Sequence, residues 1–572
     1  MSEQSTGSQA LDADPITTEV IRQGLLSAAR LLRQTIVRTA FSPAIYEALD
    51  FAAGLYDKNI RLLAEAPTLP IFMGTMSFCI EEALASVGGA EVLEEGDVIL
   101  YNVPYGTGSH PQDTAVVMPV FYEGELIGYS AAKGHLTDIA GKEPYSTNTL
   151  DVFQEGTVYP GVRLYRRGVL VDDVYRFVIA NSRTPVDVAG DLGAEVAGIR
   201  TAAKALCALV ERHGLETFRV CVERMFDHGE RVVRDYLSAI PNGRYVGHGV
   251  MDDNGVETDL VPFEVSVEVD GSDVRIDYSA APPQQIGPIN CPLPSTVSAA
   301  RVAMAMLAGN GEPPNEGHFR PLEVLTRPGT LFHPIAPAPC FLYGWPADQS
   351  IEVIFGALAS ALPEAVPAHS GGDVCALVWW GKDAVTGETW TDGAAHPVGQ
   401  GAFAHGDGVS ANFHHSEAGA ALPSTEVWEQ KNPWIVEQLA FAPDSCGAGR
   451  TRGGLGLDIH FRLLEDCLVT SALERTRTAP WGLLGGKEGR PNDLIVTAPD
   501  GTSQHYGKIT GLKIEAGSLV ELRTGGGGGY GEPAERDVAS IVRDYSLGFL
   551  TVEAIERDYP HAVSELETHI TA

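Results

Sequence analysis

Nowhere in the 572 residues does an apolar run approach the ~20 residues that span a bilayer, so no membrane-crossing helix is expected. Basic residues are scarce: 40 Lys and Arg stand against 75 Asp and Glu, for a net charge of -35. That charge repels phosphate backbones and anionic lipid, which argues against nucleic acid and membrane partners. The eight cysteines (79, 207, 221, 291, 340, 375, 446 and 467) form no C-x-x-C pair, so no zinc ribbon or dithiol redox motif is expected, only reduced and mostly buried thiols. The polar opening MSEQSTGSQ lacks the basic and apolar regions of a signal peptide, and a cytoplasmic protein is the expectation. Also missing are a GxxxxGK[ST] phosphate loop, a G-x-S-x-G elbow, a repeat of fixed period and a block of like charge.

What is present is a composition near that of soluble globular proteins, 44% apolar and 20% charged, in a chain long enough for several packed subdomains. The pattern predicts a mixed α/β (α+β) fold with a strand-rich and loop-rich second half. Four regions are expected: a polar tail over 1–13, a region over 14–245, a strand-rich middle over 246–400, and a glycine-rich region over 401–572 that ends in helices. Asp14 and Pro15 read as the cap and first residue of a helix with Ile21, Leu25, Ala28, Leu32 and Ile36 on one face. Residues 97–135 look like β structure, and 197–240 carry two helical segments. Val261 to Val269 alternates before an Asp270-Gly271 turn, and a second hairpin surrounds Asp500-Gly501. Gly and Pro are frequent from about 281 to 535, and helical pattern is expected to return only from Arg536.

The segment from Asn102 to Asp138 carries the chemistry. His110 and Asp113 precede an apolar run, Glu123-Gly124 marks a tight turn, and the return run ends at His135. A turn centred between 123 and 124 places Asp113 opposite residue 134, within a residue or two of slippage, so two imidazoles and a carboxylate reach one end of a hairpin. Such a set suits a catalytic divalent metal, because three protein ligands leave positions open; zinc, manganese and iron all fit. Separately satisfied loop residues are the alternative at this point. The glycines at 106, 108 and 134 are read as allowing tight bends, and Asp138 as orienting a ligating imidazole. Asp50 ahead of an apolar run reads first as a cap or turn residue. The run GGGGGYG (525–531) reads as a tight turn rather than a phosphate loop. Arg450, Arg452, Arg475 and Arg477 could bind an anion or serve structure, and Ser109 lacks the setting of a nucleophile.

Many further segments in one order carry a resemblance: DPITTEVIR at 14–22, DFAAGLYD at 50–57, NVPYGTGSHPQD at 102–113, FQEGTVYPGVRLYRRG at 153–168, GAGRTRGGLG at 447–456 and GGGGGYGEP at 525–533. Over nearly its whole length the chain resembles the hydantoinase B family, with the matching half of ATP-dependent 5-oxoprolinases and the metal-bearing subunits of acetone and acetophenone carboxylases. The resemblance implies that His110, Asp113 and His135 hold the metal, and that Asp50 is a catalytic or metal-proximal carboxylate. The segment departs from the family's NDPYxGGTHLPD at Val103 and in TGSHPQD. The resemblance further implies a separate hydantoinase A-like, actin-like ATPase subunit that uses ATP and Mg, a hetero-oligomer such as α2β2, and opening of a cyclic amide (a hydantoin, 5-oxoproline or a lactam). A ketone carboxylase and a noncatalytic scaffold of the ATPase are the alternatives.

Overall fold

A computed structural model of the chain describes residues 14–309, 311–383 and 386–571; the polar tail expected over 1–13 lies outside them. The helix Pro15–Thr39 starts where its cap predicts, with Asp14 Oδ1 accepting from Ile16 N and Thr17 N at 2.9 and 3.0 Å. Ile21, Leu25, Ala28, Leu32 and Ile36 are all buried. They pack on the helix Pro185–His213, where Gly198 lets Ile36 and Leu32 approach its backbone closely.

These two helices cover one face of an antiparallel seven-stranded sheet of order β2-β1-β5-β4-β3-β6-β7. Its strands are β1 (Phe51–Asp57), β2 (Leu62–Glu65), β3 (Val98–Tyr101), β4 (Asp113–Tyr122), β5 (Glu125–His135), β6 (Pro160–Arg166) and β7 (Val169–Leu170). Alternation along β1 sends Phe51, Ala53 and Leu55 into that layer, and Ala52 and Tyr56 to the other face. The other face meets the helix Thr75–Val87 and the middle of the chain in one continuous core.

The β4/β5 turn is the expected one. Glu123 (φ 50°) and Gly124 (φ 81°) give it the positive φ values of a type I′ hairpin. The register is not quite the expected one. A bulge between Val120 and Phe121 shifts the pairing by one residue, so Asp113 faces His135 rather than residue 134.

The hairpin of strands Val261–Asp270 and Asp273–Asp277 forms as predicted, within a four-stranded sheet. Two further sheets, of four and five strands, pack around Trp379, Trp434 and Phe461. The mixed α/β class holds.

One expectation fails. Helices Leu293–Ala308 and Gly344–Leu358 lie in the stretch read as free of helix. Fourteen residues of Gly344–Leu358 are buried, so no apolar stripe marks it. Pro294 and Pro346, which read as loop signals, sit in the first helical turns, where proline is tolerated.

The run at 525–531 also differs from its reading. It is not a tight turn: Gly525 to Gly529 show no positive φ, and only Gly531 (φ 70°) does. The run is threaded among segments 399–402, 447–454 and 482–489, and its hydrogen bonds radiate to all of them. A Cβ on Gly526, Gly527, Gly528 or Gly529 would overlap a neighbouring carbonyl in each case. Helices Val538–Ser546, Val552–Asp558 and Val563–Thr571 close the chain, as expected. No helix among the described residues is long and apolar enough to cross a membrane.

Candidate metal centre

Sheet register places three of the four expected side chains in a row. Asp113 opens β4 and pairs with His135, the last residue of β5. On the far side of β5, Phe51 pairs with Gly134, and His135 N donates to Asp50 O at 3.1 Å. Asp50, His135 and Asp113 therefore lie across β1, β5 and β4 at one end of the sheet, where cross-strand neighbours share a face. His110 joins from the preceding loop, where Asp113 N donates to His110 O (3.1 Å).

Of the three glycines, only Gly108 (φ 81°) makes the bend expected of it. Gly106 and Gly134 serve close packing instead; a Cβ on Gly134 would lie 2.5 Å from Glu195 Oε1.

His110 Nε2 is 3.0 Å from His135 Nδ1 and 3.1 Å from Asp113 Oδ1, and His135 Nδ1 is 3.3 Å from Asp113 Oδ1. Metal–nitrogen bonds of 2.0–2.1 Å give donor separations of roughly 3.0 Å in octahedral and 3.4 Å in tetrahedral coordination, so the three atoms already have the spacing of a ligand set. Together they form a group that could hold a metal ion. His110 Nδ1 donates to the Phe341 carbonyl at 2.9 Å, which fixes the tautomer with the Nε2 lone pair turned to the centre. Asp50 Oδ2 stands 3.7 Å from His135 Nδ1, near enough to orient a ligand or act beside one.

Electrostatics follow from the crowding of these groups. Burial raises the Asp50 carboxyl above its ordinary range, against the pull of His135. Burial pushes Asp113 the same way, but His110 and His135 outweigh it and hold that carboxyl well below the usual range. For His135 burial favours the neutral ring, and the Asp113 hydrogen bond with the Asp50 charge overcomes it, so its pKa is raised.

The other sequence candidates lie elsewhere. Asp138 is not behind a ligand; Arg183 holds it through Nη2 at 2.6 Å. Arg452 pairs with Asp544, Arg475 bonds Gln349 and His369, Arg477 donates to the Asp252 and Thr258 carbonyls, and Arg450 donates to that of Ala404. They are structural and form no shared anion site. Ser109 is buried beside the Lys133 ammonium. The glycine run offers no nest for phosphate, because Gly526, Gly527, Gly528 and Gly529 spend their N–H groups on the carbonyls of Arg490, Gly454, His369 and Lys487.

Several residues of the site escaped the sequence reading. Tyr343 donates to Asp113 Oδ2 at 3.3 Å. Glu155 Oε1 accepts from Cys340 N and Phe341 N, both at 2.8 Å, and so anchors the carbonyl that orients His110. Lys133 is wholly buried, with Nζ on Thr107 O (2.7 Å) and 4.2 Å above the Phe72 ring. The partners of Tyr343 and Glu155 lie far along the chain, beyond any local motif, whereas Thr107 lies within the same 102–138 segment as Lys133. The eight thiols are free, and most are buried, as expected.

The centre lies at the wall of a cleft of about 160 Å³, lined by Asp50, His110 and His135 together with Leu69, Phe72, Tyr145, Trp345 and Val374. A cavity of about 150 Å³ holds a benzene ring, so the cleft is on the scale of a small cyclic substrate.

Comparison with known proteins finds whole-length similarity. A component of a putative D-/L-hydantoinase from a Pseudomonas species (strain NS671) is 28% identical over 97% of this chain and 96% of its own. The crystal structure of an ATP-dependent caprolactamase from Pseudomonas jessenii superposes with a TM-score of 0.90 at 28% identity, covering 96% of both chains. An acetone carboxylase in its nucleotide-free structure shares the fold, with a TM-score of 0.86 at 19% identity over 97% of this chain and 80% of that one. The model of the hydantoinase B/oxoprolinase family matches residues 14–533, and the chain belongs to that family.

Proposed function

We propose that this chain is the metal-holding catalytic subunit of a two-component enzyme that opens a cyclic amide (a hydantoin, 5-oxoproline or a lactam) after an actin-like ATPase subunit has activated it with ATP. The observation that carries this reading is the convergence of His110 Nε2, Asp113 Oδ1 and His135 Nδ1 at the wall of a small, largely apolar cleft. The names of the relatives, one component of a hydantoinase and an ATP-dependent caprolactamase, supply the substrate class and the need for a partner.

When bound at the three ligands, a divalent metal (zinc, manganese or iron) supplies Lewis acidity. The chain's own residues do the rest. Asp50, at the cleft end of the ligand row, accepts the proton of the attacking water. Leu69, Phe72 and Trp345 exclude bulk solvent and seat the ring. Phe341 and Tyr343 hold His110 and Asp113 in place through the hydrogen bonds above. An unstrained amide is a poor electrophile, which is why ATP is needed; this chain's glycine run has no free N–H groups for nucleotide.

The test is to purify the chain with its ATPase partner and supply cyclic amides and ketones with ATP, with and without bicarbonate. Ring-opened product that does not require bicarbonate is expected. Bicarbonate-dependent ketone consumption without ring opening would replace this reading with a carboxylase, and ATP turnover indifferent to His110→Ala would leave a scaffold.

A further inference from the structure

One carboxyl on the cleft has no part in the chemistry above. The turn His415–Glu417 brings Glu417 into the lining of the same cleft as Asp50, His110 and His135. The residue is 8% exposed, and its carboxyl makes no hydrogen bond among the described residues. Three acidic groups act on it: Asp348 from the helix Gly344–Leu358, Asp50 ahead of β1 and Asp113 of β4. The other titratable groups around it are the phenols of Tyr145 and Tyr343, kept protonated by burial, the imidazoles of His110 and His135 on the cleft, and those of His414 and His415 on its own turn. Burial and these like charges hold the Glu417 carboxyl well above its ordinary range, which favours the protonated form. The other free acid on the cleft, Asp392, is already committed to Asn432 Nδ2 (2.5 Å) and Gly393 N (2.8 Å).

A buried polar chain runs behind it. His414 lies 3.7 Å from Asp348 and 3.3 Å from Glu352, and His415 lies 3.6 Å from Glu352. His415 also lines a second cleft, with Leu26, Arg30 and Met306. Burial alone would favour a neutral His414 ring, but Asp348 and Glu352 raise its pKa; its backbone carbonyl accepts from Glu417 N at 2.8 Å, which ties the turn to this chain.

We propose that Glu417 is the acid that protonates the departing ring nitrogen, the counterpart of Asp50 across one cleft, with Asp348, His414 and Glu352 as its positioning residues. The proposal rests on the hydrolase reading. An amide nitrogen cannot leave as an anion near neutral pH, and an acid placed at the leaving group supplies its proton while Asp50 acts as the base. In the adduct of water and the amide carbon, the C–N bond breaks and its electron pair goes to nitrogen, which takes the Glu417 proton. Asp50, which has by then passed the proton of the attacking water on to the ring nitrogen, takes the proton of the adduct's hydroxyl as the carbon–oxygen double bond forms. The oxygen that carries the phosphoryl group from ATP keeps it in this step, so the ring opens to an acyl phosphate, which a second water hydrolyses to the acid and phosphate. One proton is lost and one gained, and water in the cleft restores both carboxyls.

Glu417→Gln and Glu417→Asp, assayed with the partner subunit, test this. With Glu417→Gln, kcat on a simple lactam should fall about 10²-fold, with KM and metal content kept. The loss should be smaller on a hydantoin, whose leaving nitrogen is more acidic, and the alkaline limb of the kcat profile should flatten. Glu417→Asp, which keeps the acid, should recover part of the rate. Unchanged kcat, metal loss in step with activity, or an unaltered pH profile would assign Glu417 a structural role and overturn the proposal alone. If the wild-type pair opens no cyclic amide, the hydrolase reading falls and the proposal falls with it.

Discussion

Two glycine-bearing segments, GTGSH at 106–110 and GGGGGYG at 525–531, look alike in sequence and do opposite things. In the first, Gly108 bends the chain so that His110 turns its ring toward Asp113 and His135, and the donor atoms meet at a cleft. In the second, backbone meets backbone, polar groups satisfy one another, and no side chain would fit. Glycine frees conformation in one place and removes bulk in the other. What separates them is whether the polar groups are left open or closed. The N-terminal sheet leaves lone pairs directed at a cavity, which is what chemistry requires, while the glycine run uses up its hydrogen-bonding capacity in packing.

The sharpest way to break the contrast is to add one methyl group to each kind of glycine. Gly527→Ala forces a Cβ into the Gln400 carbonyl, a backbone group that cannot rotate away. A loss at or beyond the top of the usual overpacking range, about 3 kcal/mol, or failure to fold, is expected in chemical denaturation. Gly193→Ala, in the helix Pro185–His213 with nothing within 4 Å, should be neutral or stabilising by up to about 1 kcal/mol. Equal behaviour of the two would mean that the run is not packed as described.

His110→Ala and His135→Ala should leave the fold intact, because the sheet and its helices are held by the apolar layers on both faces. Each should strip most of the metal found by elemental analysis of the wild type, and ring opening should fall to background. Metal content unchanged in both variants would remove this centre from consideration. Asp50→Asn tests a smaller effect. A base role predicts retained metal and turnover lower by roughly 10²-fold, whereas a ligand role predicts metal and activity lost together, with partial recovery on added metal.

Much of the sheet and of the site was legible because the signals are local. A two-residue turn with Gly at its second position, an apolar run and its return run on either side and a His-x-x-Asp pair at one end place His110, Asp113 and His135 together from residues 110–135 alone. The one-residue error in register came from the bulge at Val120, which no turn residue announces. Asp50 entered only through resemblance, since its neighbour across the ladder is 85 residues away. The helix Gly344–Leu358 is buried all round, and Asp348, Gln349, Ser350 and Glu352 are buried with its apolar residues, so no amphipathic period marks it in the sequence. With it were lost Asp348 and Glu352 and, just ahead of it, Tyr343. Glu155 stands in the segment 153–168 with nothing local to mark its role, because its partners Cys340 and Phe341 come from the middle region of the chain.

Tyr343 gives the finest test of how the open set of donors is supported. Its hydroxyl donates to Asp113 Oδ2 at 3.3 Å, at the long end for such a bond, and its ring stands edge-on to His110 with centroids 5.3 Å apart. Burial holds the phenol well above its ordinary pKa, so it stays a donor across the working range of pH. Tyr343→Phe keeps the ring wall of His110 and removes only this donor, which frees one oxygen of Asp113 to rotate. Loss of an outer partner typically weakens metal binding by 10- to 100-fold, and a long single bond belongs at the lower end, about 10-fold or less. Competition titration of the metal should show that weakening, while KM for the ring stays near the wild-type value. The reverse pattern, unchanged metal affinity with a raised KM, would place the hydroxyl on the substrate rather than on the ligand.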